Sequence, residues 1–187
     1  MKDISSMVNY LFEAGELKRI KRSGWWTAKI KDPESVAEHS FRCAIVAFFL
    51  AKMEGADPQE LCSAAVFHDM HETRILDLHK VAARYLDQEK AALQTERDQL
   101  AALPKDMADE IRPLLELSEK KKTILKDADL LECALQAKEY MEIGYADAED
   151  WLINIEKRLK TPSARQLLTQ AKSMRSRDWW RGLKKTD

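Results

Sequence analysis

Apolar residues recur every three to four positions through most of the chain, which is the period of an amphipathic α-helix. Two segments lack this period: a basic and aromatic segment at about 19–35, which predicts a connecting loop, and a short one at about 73–80. The other segments predict helices at about 3–18, 36–54, 57–72, 81–102, 105–119, 121–143, 146–159 and 162–175. The pattern therefore predicts an all-α fold.

Capping signals mark several ends of these helices. Ser35, with Glu38 three residues later, matches a capping box, in which each side chain binds a free backbone N–H at the helix start. Asp57 and Pro58 match the N-cap and first helical position of the next helix. Gly144 suits the left-handed conformation that commonly ends a helix, so the helix at 121–143 is predicted to stop there.

Composition agrees with helices and bounds the domain organisation. Only five of the 187 residues are glycine and five are proline, while helix-forming residues dominate. This length fits one domain, so we predict a single domain over 1–187, with its core at about 5–160 and a C-terminal helix and tail at 162–187. With 31 basic and 32 acidic residues the chain has no overall basic field, which argues against a nucleic-acid polymer as partner.

Cysteine usage and hydropathy bear on the location of the protein. Cys43, Cys62 and Cys133 are odd in number and lie in apolar helical segments, so we expect free thiols in a reducing compartment. The N-terminal sequence MKDISSMVNYLFE lacks the long apolar run of a signal peptide. The longest strongly apolar run, 43–51, is too short to span a bilayer. We therefore expect a cytoplasmic protein with no membrane partner.

Polar residues that can bind a metal occur at three places in the otherwise apolar helical sequence: His39, the pair His68-Asp69, and the aspartates Asp127 and Asp129. Helical phase turns both histidines inward, because each lies in line with apolar residues of its own helix. One such histidine alone is more often a hydrogen-bonded core residue, but two with an adjacent aspartate favour a metal site. Mixed nitrogen and oxygen ligands suit Mn, Fe, Co, Ni or Zn, so we predict a divalent transition metal ion as cofactor.

Helical phase does not decide which aspartate of KDADLLE belongs to such a site. Asp127 and Asp129 lie about 200° apart around a helix, so they cannot both point the same way. Each shares its face with apolar residues, Asp127 with Ile124 and Leu131, and Asp129 with Leu125. From the residues alone both aspartates stay open.

These residues resemble a known family. The pattern H…HD…D, with the HD pair at a helix end, is similar to that of the HD-domain metal-dependent phosphohydrolases. The segments RSGWW, PESVAEHS, FHDMHE and KDADLLECALQAKEY resemble, more narrowly, the deoxynucleoside 5′-monophosphatase (5′-nucleotidase) branch, over about residues 5–145. The resemblance implies a compact HD-type helical bundle with a metal site between its inner helices. It also implies metal ligation by a set of four residues, which takes the second aspartate rather than the first: His39, His68, Asp69 and Asp129.

The same resemblance implies the catalytic and substrate-binding residues. Glu72 and Asp77 match the family's acid/base carboxyl groups, and a carboxylate beside a metal-bound water is suited to proton transfer. Arg22 and Trp25 match an Arg and a Trp that the family uses for substrate. An arginine can bind a phosphate bidentately, and a tryptophan offers a flat surface for a base or sugar.

The predicted activity is hydrolysis of a nucleoside 5′-monophosphate to nucleoside and phosphate. Family members are commonly dimeric, and the leucines at 86, 93 and 100 are seven apart, so we expect a homodimer. Two alternatives stay open: another HD phosphodiesterase or triphosphohydrolase, and a non-catalytic module that binds nucleotide or metal. The sequence assigns no role to His71, Trp179 or Trp180.

Overall fold

The computed structural model describes residues 4–183. Residues 1–3, which include the predicted start of the first helix at position 3, lie outside this range, as do residues 184–187 of the basic tail. The described residues contain α-helices and short 3₁₀ turns but no β-strand, and the prediction of an all-α fold is confirmed. The α-helices are α1 Ile4–Glu16, α2 Val36–Met53, α3 Pro58–Phe67, α4 Glu72–Ile75, α5 Gln88–Ala102, α6 Lys105–Leu115, α7 Glu119–Glu142, α8 Glu149–Arg158 and α9 Pro162–Ser173.

Helices α2 and α7 form the centre of the fold. Helix α2 packs against both α3 and α7, while α8 and α9 pack on the other sides of α7. Small residues allow this close packing, and Ala47 of α2, Ala64 of α3 and Ala137 of α7 are fully buried in one continuous apolar core. Two smaller apolar clusters lie under α1 and between α5 and α6.

The predicted capping signals are confirmed. The Ser35 hydroxyl accepts the backbone N–H of Glu38, and the Glu38 carboxylate accepts the backbone N–H of Ser35, so both halves of the capping box are present. The Asp57 carboxylate accepts backbone N–H groups at the start of α3, with Pro58 at the first helical position. Gly144 follows the end of α7 at a φ of 109°, a conformation that side chains rarely adopt.

The prediction that α3 runs to Glu72 is wrong. The helix ends at Phe67, and the next four residues, His68 to His71, form a turn that leads into the short helix α4. The backbone N–H of Met70 binds the carbonyl of Phe67, three residues back instead of the four of an α-helix. Periodicity missed this end because the polar residues His68, His71 and Glu72 have the spacing of one helix face, although the α-helix has already ended.

Other element bounds differ more modestly from the predictions. Helix α5 begins at Gln88, after a 3₁₀ turn at Ala82–Arg84, whereas one helix was predicted from about 81. The predicted connecting loop at 19–35 is ordered by a 3₁₀ turn at Ser23–Ala28 and by backbone pairing between Lys21 and Ser35. The single domain over 1–187 stays a prediction.

Among the described residues, no helix combines the length and the apolarity that crossing a membrane would require. The three cysteines are free thiols, as expected. Cys43 is fully buried, while Cys62 and Cys133 are partly buried.

Candidate metal and active site

The four predicted metal ligands converge at one point between α2, the turn after α3, and α7. His39 Nε2 lies 3.2 Å from Asp129 Oδ1 and 3.7 Å from Asp69 Oδ2. His68 Nε2 lies 3.1 Å from the same Asp69 oxygen, and the two imidazole rings are 5.7 Å apart. Residues from distant parts of the sequence thus present two nitrogens and two carboxylates to a common centre.

The orientation of His39 is set by a buried carboxylate that the sequence reasoning missed. His39 and Glu132 are both fully buried, and Nδ1 of the histidine makes a short hydrogen bond to the Glu132 carboxylate. An ionised carboxylate only accepts, so Nδ1 carries a hydrogen and Nε2 is the nitrogen that faces Asp69 and Asp129. A signal for this role was present, because Glu132 follows Asp129 by three residues and so shares its side of α7.

Arg42 connects this carboxylate to the rest of α7. Its Nε donates to Glu132 over 2.9 Å, Nη1 donates to Glu139 over 2.8 Å, and Nη2 donates to Gln136 over 2.8 Å. Arg42 follows His39 by three residues on α2, and its partners are spaced by three or four residues on α7. One guanidinium therefore fixes the register of the two central helices beside the ligand histidine.

His68 is oriented by the backbone. Its Nδ1 donates to the carbonyl oxygen of Ala65 over 2.7 Å, which leaves the Nε2 lone pair directed at Asp69. Burial lowers the pKa of His68, although Asp69 and Asp129 oppose the shift. The imidazole is thus held neutral, which is the form that coordinates a metal.

Three of the converging atoms, His39 Nε2, His68 Nε2 and Asp69 Oδ2, are buried and make no hydrogen bond to any described residue. Burial and Arg22 oppose a positive charge on His39, yet the adjacent carboxylates of Asp129 and Glu132 raise its pKa well above the usual range, so the cluster strongly favours positive charge. The cluster therefore combines negative charge with buried nitrogen and oxygen atoms that lack hydrogen-bond partners. A cation bound between these atoms would satisfy both. The residues fit a divalent metal.

Asp129 and Asp127 have separate surroundings. Burial alone would raise the pKa of Asp129, but Lys126, His39 and Arg22 hold it well below its usual range, so the carboxylate facing the cluster is ionised. Asp127 points away and is 1% exposed. Its carboxylate accepts the backbone N–H groups of the residues that join α8 to α9, over 2.9 Å at position 160 and 2.6 Å at position 161.

Glu72 lies at the start of α4, close to Asp69. It is 3% exposed, and its Oε2 makes no hydrogen bond to any described residue. Burial, together with the negative charges of Asp69 and Asp77, raises the pKa of Glu72 to about 9. The site therefore holds a protonated carboxyl group beside ionised ones, which is the arrangement expected of a general acid.

Arg22 and Asp77 lie on the other side of the cluster. Arg22 Nη1 donates to Asp77 Oδ1 over 3.0 Å, and its guanidinium lies 3.6 Å from Asp69 and 3.7 Å from Asp129. The second Asp77 oxygen accepts the backbone N–H and the hydroxyl of Ser23, at 2.6 and 2.8 Å. Asp77 therefore ties the 3₁₀ turn that begins at Ser23 to the loop after α4, and fixes Arg22 beside the predicted ligands.

The predicted stacking role of Trp25 does not fit its position. The indole is 2% exposed, stacks on Trp151 at 4.9 Å, and meets the edge of Tyr140 at 5.1 Å. Its Nε1 donates to Glu34 over 3.0 Å. With its ring packed against two aromatic side chains and its indole nitrogen paired, Trp25 is a core residue here and exposes almost no surface to a base.

The neighbouring histidine His71 is partly buried on the same turn. Its Nδ1 lies 3.5 Å from Glu96 of α5, and one of its ring nitrogens lies within 4.8 Å of carboxylate oxygens of Asp69 and Glu72. This contact is too long for a strong hydrogen bond. His71 therefore lies between α5 and the carboxylates of the site.

The site is a buried centre of two histidines and two aspartates between helices, with a carboxyl group and an arginine beside it. This arrangement is typical of a class of helical proteins that bind a metal cation. Comparison of the sequence with family models places the chain within that class. The HD domain model matches residues 14–171, and the chain belongs to the HD-domain family.

Several known proteins are similar to the chain over most of its length. The human protein named 5′-deoxynucleotidase HDDC2 is 27% identical over 179 residues, which cover 91% of this chain and 87% of that protein. A conserved hypothetical protein from Pyrococcus furiosus has a solved structure with a TM-score of 0.70 and 31% identity, covering 89% of this chain and 99% of that one.

A more distant structure shares the fold alone. The cyanophage S-2L HD phosphohydrolase DatZ, solved with dA and one catalytic Zn²⁺ ion, has a TM-score of 0.55 at 17% identity, covering 86% of this chain and 93% of that one.

Proposed function

We propose that this protein is a metal-dependent phosphohydrolase that releases phosphate from deoxynucleoside 5′-monophosphates. The observation that carries the proposal is the buried Glu72 carboxyl, unpaired at Oε2 among the described residues, beside the two-histidine, two-aspartate centre, since a site that only binds has no need of a proton-transfer group. The name of the human relative, 5′-deoxynucleotidase, supports this substrate class. The cyanophage phosphohydrolase, which was solved with a deoxynucleoside and a zinc ion, agrees with it.

The metal would be held by four residues, and this mixture of imidazole nitrogens and carboxylate oxygens suits Mn, Fe, Co, Ni or Zn without selecting one. These residues are His39, His68, Asp69 and Asp129. A divalent ion bound there would lower the pKa of water and neutralise charge on the phosphoryl oxygens.

The surrounding residues would bind the phosphate and transfer the proton. Arg22 binds the phosphate dianion, and Asp77 keeps the guanidinium in place. Water attacks phosphorus and forms the new P–O bond while the bond to the 5′-oxygen breaks. Glu72 gives its proton to that leaving oxygen and regains one from the attacking water, so the nucleoside leaves neutral. Asp77 supports this step, because its charge helps to keep Glu72 protonated.

A nucleotide panel tests the proposal. Purified protein is stripped of metal with a chelator, restored with each candidate metal in turn, and assayed with dAMP, dGMP, dTMP, AMP, dATP and a phosphodiester. We expect phosphate from the deoxynucleoside monophosphates, and only after metal is restored. Release of triphosphate from dATP, or cleavage of the diester with no action on monophosphates, would favour the other HD activities. Binding without any product would favour a non-catalytic module.

We also propose that the protein is a cytoplasmic homodimer. The outer face of α2 supports a dimer, because it exposes Phe41, Ile45 and Phe49, which are large apolar side chains close together on one helix. The free thiols agree with a reducing compartment. Sedimentation velocity of the protein and of its Phe49→Ser variant tests the dimer: two protomers that dissociate in the variant are expected, and a monomeric parent protein would contradict it.

A further inference from the structure

Gln99 binds the turn at 68–71, which carries Asp69 and leads directly into Glu72 of α4. This glutamine of α5 is 3% exposed, and its amide nitrogen lies 2.9 Å from the carbonyl oxygen of Met70. Met70 stands between the predicted ligand and His71, in the segment where the hydrogen bonds of α3 have ended. The amide of Gln99 therefore binds the backbone of the turn at its centre.

Glu13 of α1 completes this contact. Gln99 Nε2 donates to Glu13 Oε1 over 2.7 Å, and the same carboxylate accepts Arg74 Nε over 2.7 Å and Arg74 Nη2 over 2.9 Å. The hydroxyl of Thr73 lies 2.9 Å from Glu13 and 2.8 Å from the Met70 carbonyl. One carboxylate and one amide, from two helices outside the site, thus hold the residues on both sides of Glu72.

Such contacts matter because they hold the backbone of the turn, whereas the side chain of Met70 packs in the apolar cluster under α1. The backbone hydrogen bonds of the turn span three residues instead of four, which is the weaker 3₁₀ geometry. Glu72 itself gains no hydrogen bond at Oε2 from any described residue. The position of its carboxyl group therefore follows from the backbone of the turn, to which Gln99 binds directly.

We propose that Gln99 is a positioning residue that sets the placement of the Glu72 proton donor through the backbone of the turn, with Glu13 as its anchor. The proposal rests on the proposed phosphohydrolase function. Gln99 touches neither the ligand atoms nor Arg22. Its loss should therefore lower turnover more than substrate binding.

The variant Gln99→Met tests this, because methionine keeps the volume of the side chain and removes both N–H donors. Gln94→Met is the matched control, since Gln94 is exposed on the same helix and bonds only to Asp98. At saturating metal we expect kcat of Gln99→Met to fall by about 10-fold to 10²-fold, as a misplaced catalytic group does, with KM nearly unchanged. A wild-type kcat in Gln99→Met would overturn the proposal.

A general loss of stability must be separated from misplacement. Leu100→Ala removes a buried apolar side chain next to Gln99 that belongs to the α5–α6 cluster, so it destabilises the fold without touching the turn. Leu100→Ala should keep kcat even where its Tm falls as far as that of Gln99→Met. Equal losses of kcat at equal Tm would overturn the positioning role.

A charge swap provides a second test that does not depend on the methionine variant. Gln99→Glu places a carboxylate against Glu13 and the Met70 carbonyl, and should lower kcat further than Gln99→Met. Adding Glu13→Gln returns an amide donor to the pair and should recover part of the kcat. No recovery in the double variant would contradict the proposal.

Hydrogen exchange distinguishes failure of this proposal from failure of the proposed function. If the wild-type protein releases no phosphate from any nucleotide, the function is wrong, but the contact can still be tested. Amides of the segment 68–74 should exchange faster in Gln99→Met than in Gln94→Met, while those of α2 stay unchanged. Equal exchange in the two variants would overturn the contact itself.

Discussion

The two halves of the candidate site are built in different ways. His39 and Asp129 stand on the long central helices α2 and α7, and the polar neighbours that orient them, Glu132 and Arg42, belong to the same two helices. Asp69 and Glu72 stand on an irregular turn and at the start of a four-residue helix. That turn is held by residues of α1 and α5, which are outside the centre.

This difference separates two requirements of the site. Donor atoms that share an ion must stay close together in spite of their charge, and a pair of long packed helices joined by buried hydrogen bonds supplies that rigidity. A proton donor must lie beside the ionised groups without joining them. The turn places Glu72 near Asp69 in a buried position, and burial together with the negative charges of Asp69 and Asp77 raises the pKa of Glu72 to about 9.

The largest expected effect compares the two aspartates of α7. Asp129→Asn should abolish both metal binding and phosphate release, because a neutral amide replaces an ionised carboxylate of the cluster. Asp127→Asn should keep activity and instead lower the free energy of unfolding by about 1–3 kcal/mol, since its carboxylate satisfies buried backbone N–H groups. Metal content by mass spectrometry and urea unfolding of both variants check this; the reverse pattern would exchange their roles.

The next effect isolates the turn half of the site. Glu72→Gln keeps the shape and the neutral state of the side chain but removes its proton donor. Phosphate release should fall by about 10²-fold to 10⁴-fold, the usual contribution of general acid–base catalysis. Metal affinity, measured by calorimetric titration, should stay close to that of the wild type. Full turnover with restored metal would exclude Glu72 as the acid.

A smaller effect is expected on the helical half. Arg42→Met removes the partner of Glu132, and a looser Glu132 should orient His39 less well. Changes of this kind lower metal affinity by about 10-fold to 10²-fold. Competition with a chromogenic chelator measures it, and Lys52→Met, on the exposed side of α2, is the control. Unchanged metal affinity in Arg42→Met would show that the guanidinium serves the helix contact alone.

The same contrast explains how much could be predicted. On the helical half, periodicity and capping gave α2 and α7, and helical phase gave the inward direction of His39, because regular geometry carries a side chain's direction along the sequence. Helical phase could not choose between Asp129 and Asp127. What separates them is the backbone that joins α8 to α9, and no local pattern encodes that contact.

On the turn half, prediction failed where regular geometry ends. Helix α3 was extended to Glu72 because the spacing of His68 and Glu72 fits a helix, whereas the hydrogen bonds change after Phe67. The role of Gln99 could not be read from the sequence, because α5 is a largely polar helix in which a buried glutamine looks like the exposed ones. Trp25 was assigned to substrate from its motif, but its packing against Trp151 depends on a helix that begins more than 100 residues later.

The smallest effect concerns the acid stability of the contact that holds the turn. The hydrogen bond from Arg74, joined by those from Gln99 and Thr73 and opposed by burial, lowers the pKa of Glu13 to about 2 from a usual value of 4.5. Because the folded pKa lies below the unfolded one, the ionised Glu13 stabilises the fold above pH 4.5, and this contribution is lost as the pH falls towards 2.

Glu13→Gln should therefore be less stable than the wild type at neutral pH and should lose less stability between pH 4.5 and 2, where the wild-type carboxylate takes up its proton. Urea unfolding at several pH values measures the difference, with Glu16→Gln as the control, because Glu16 is exposed on the same helix and pairs only locally with Arg19. Parallel curves for Glu13→Gln and the wild type would mean that the carboxylate is not held by the turn. A difference that is present at neutral pH and disappears as the pH falls through this window would show that the turn depends on a carboxylate that acid can release.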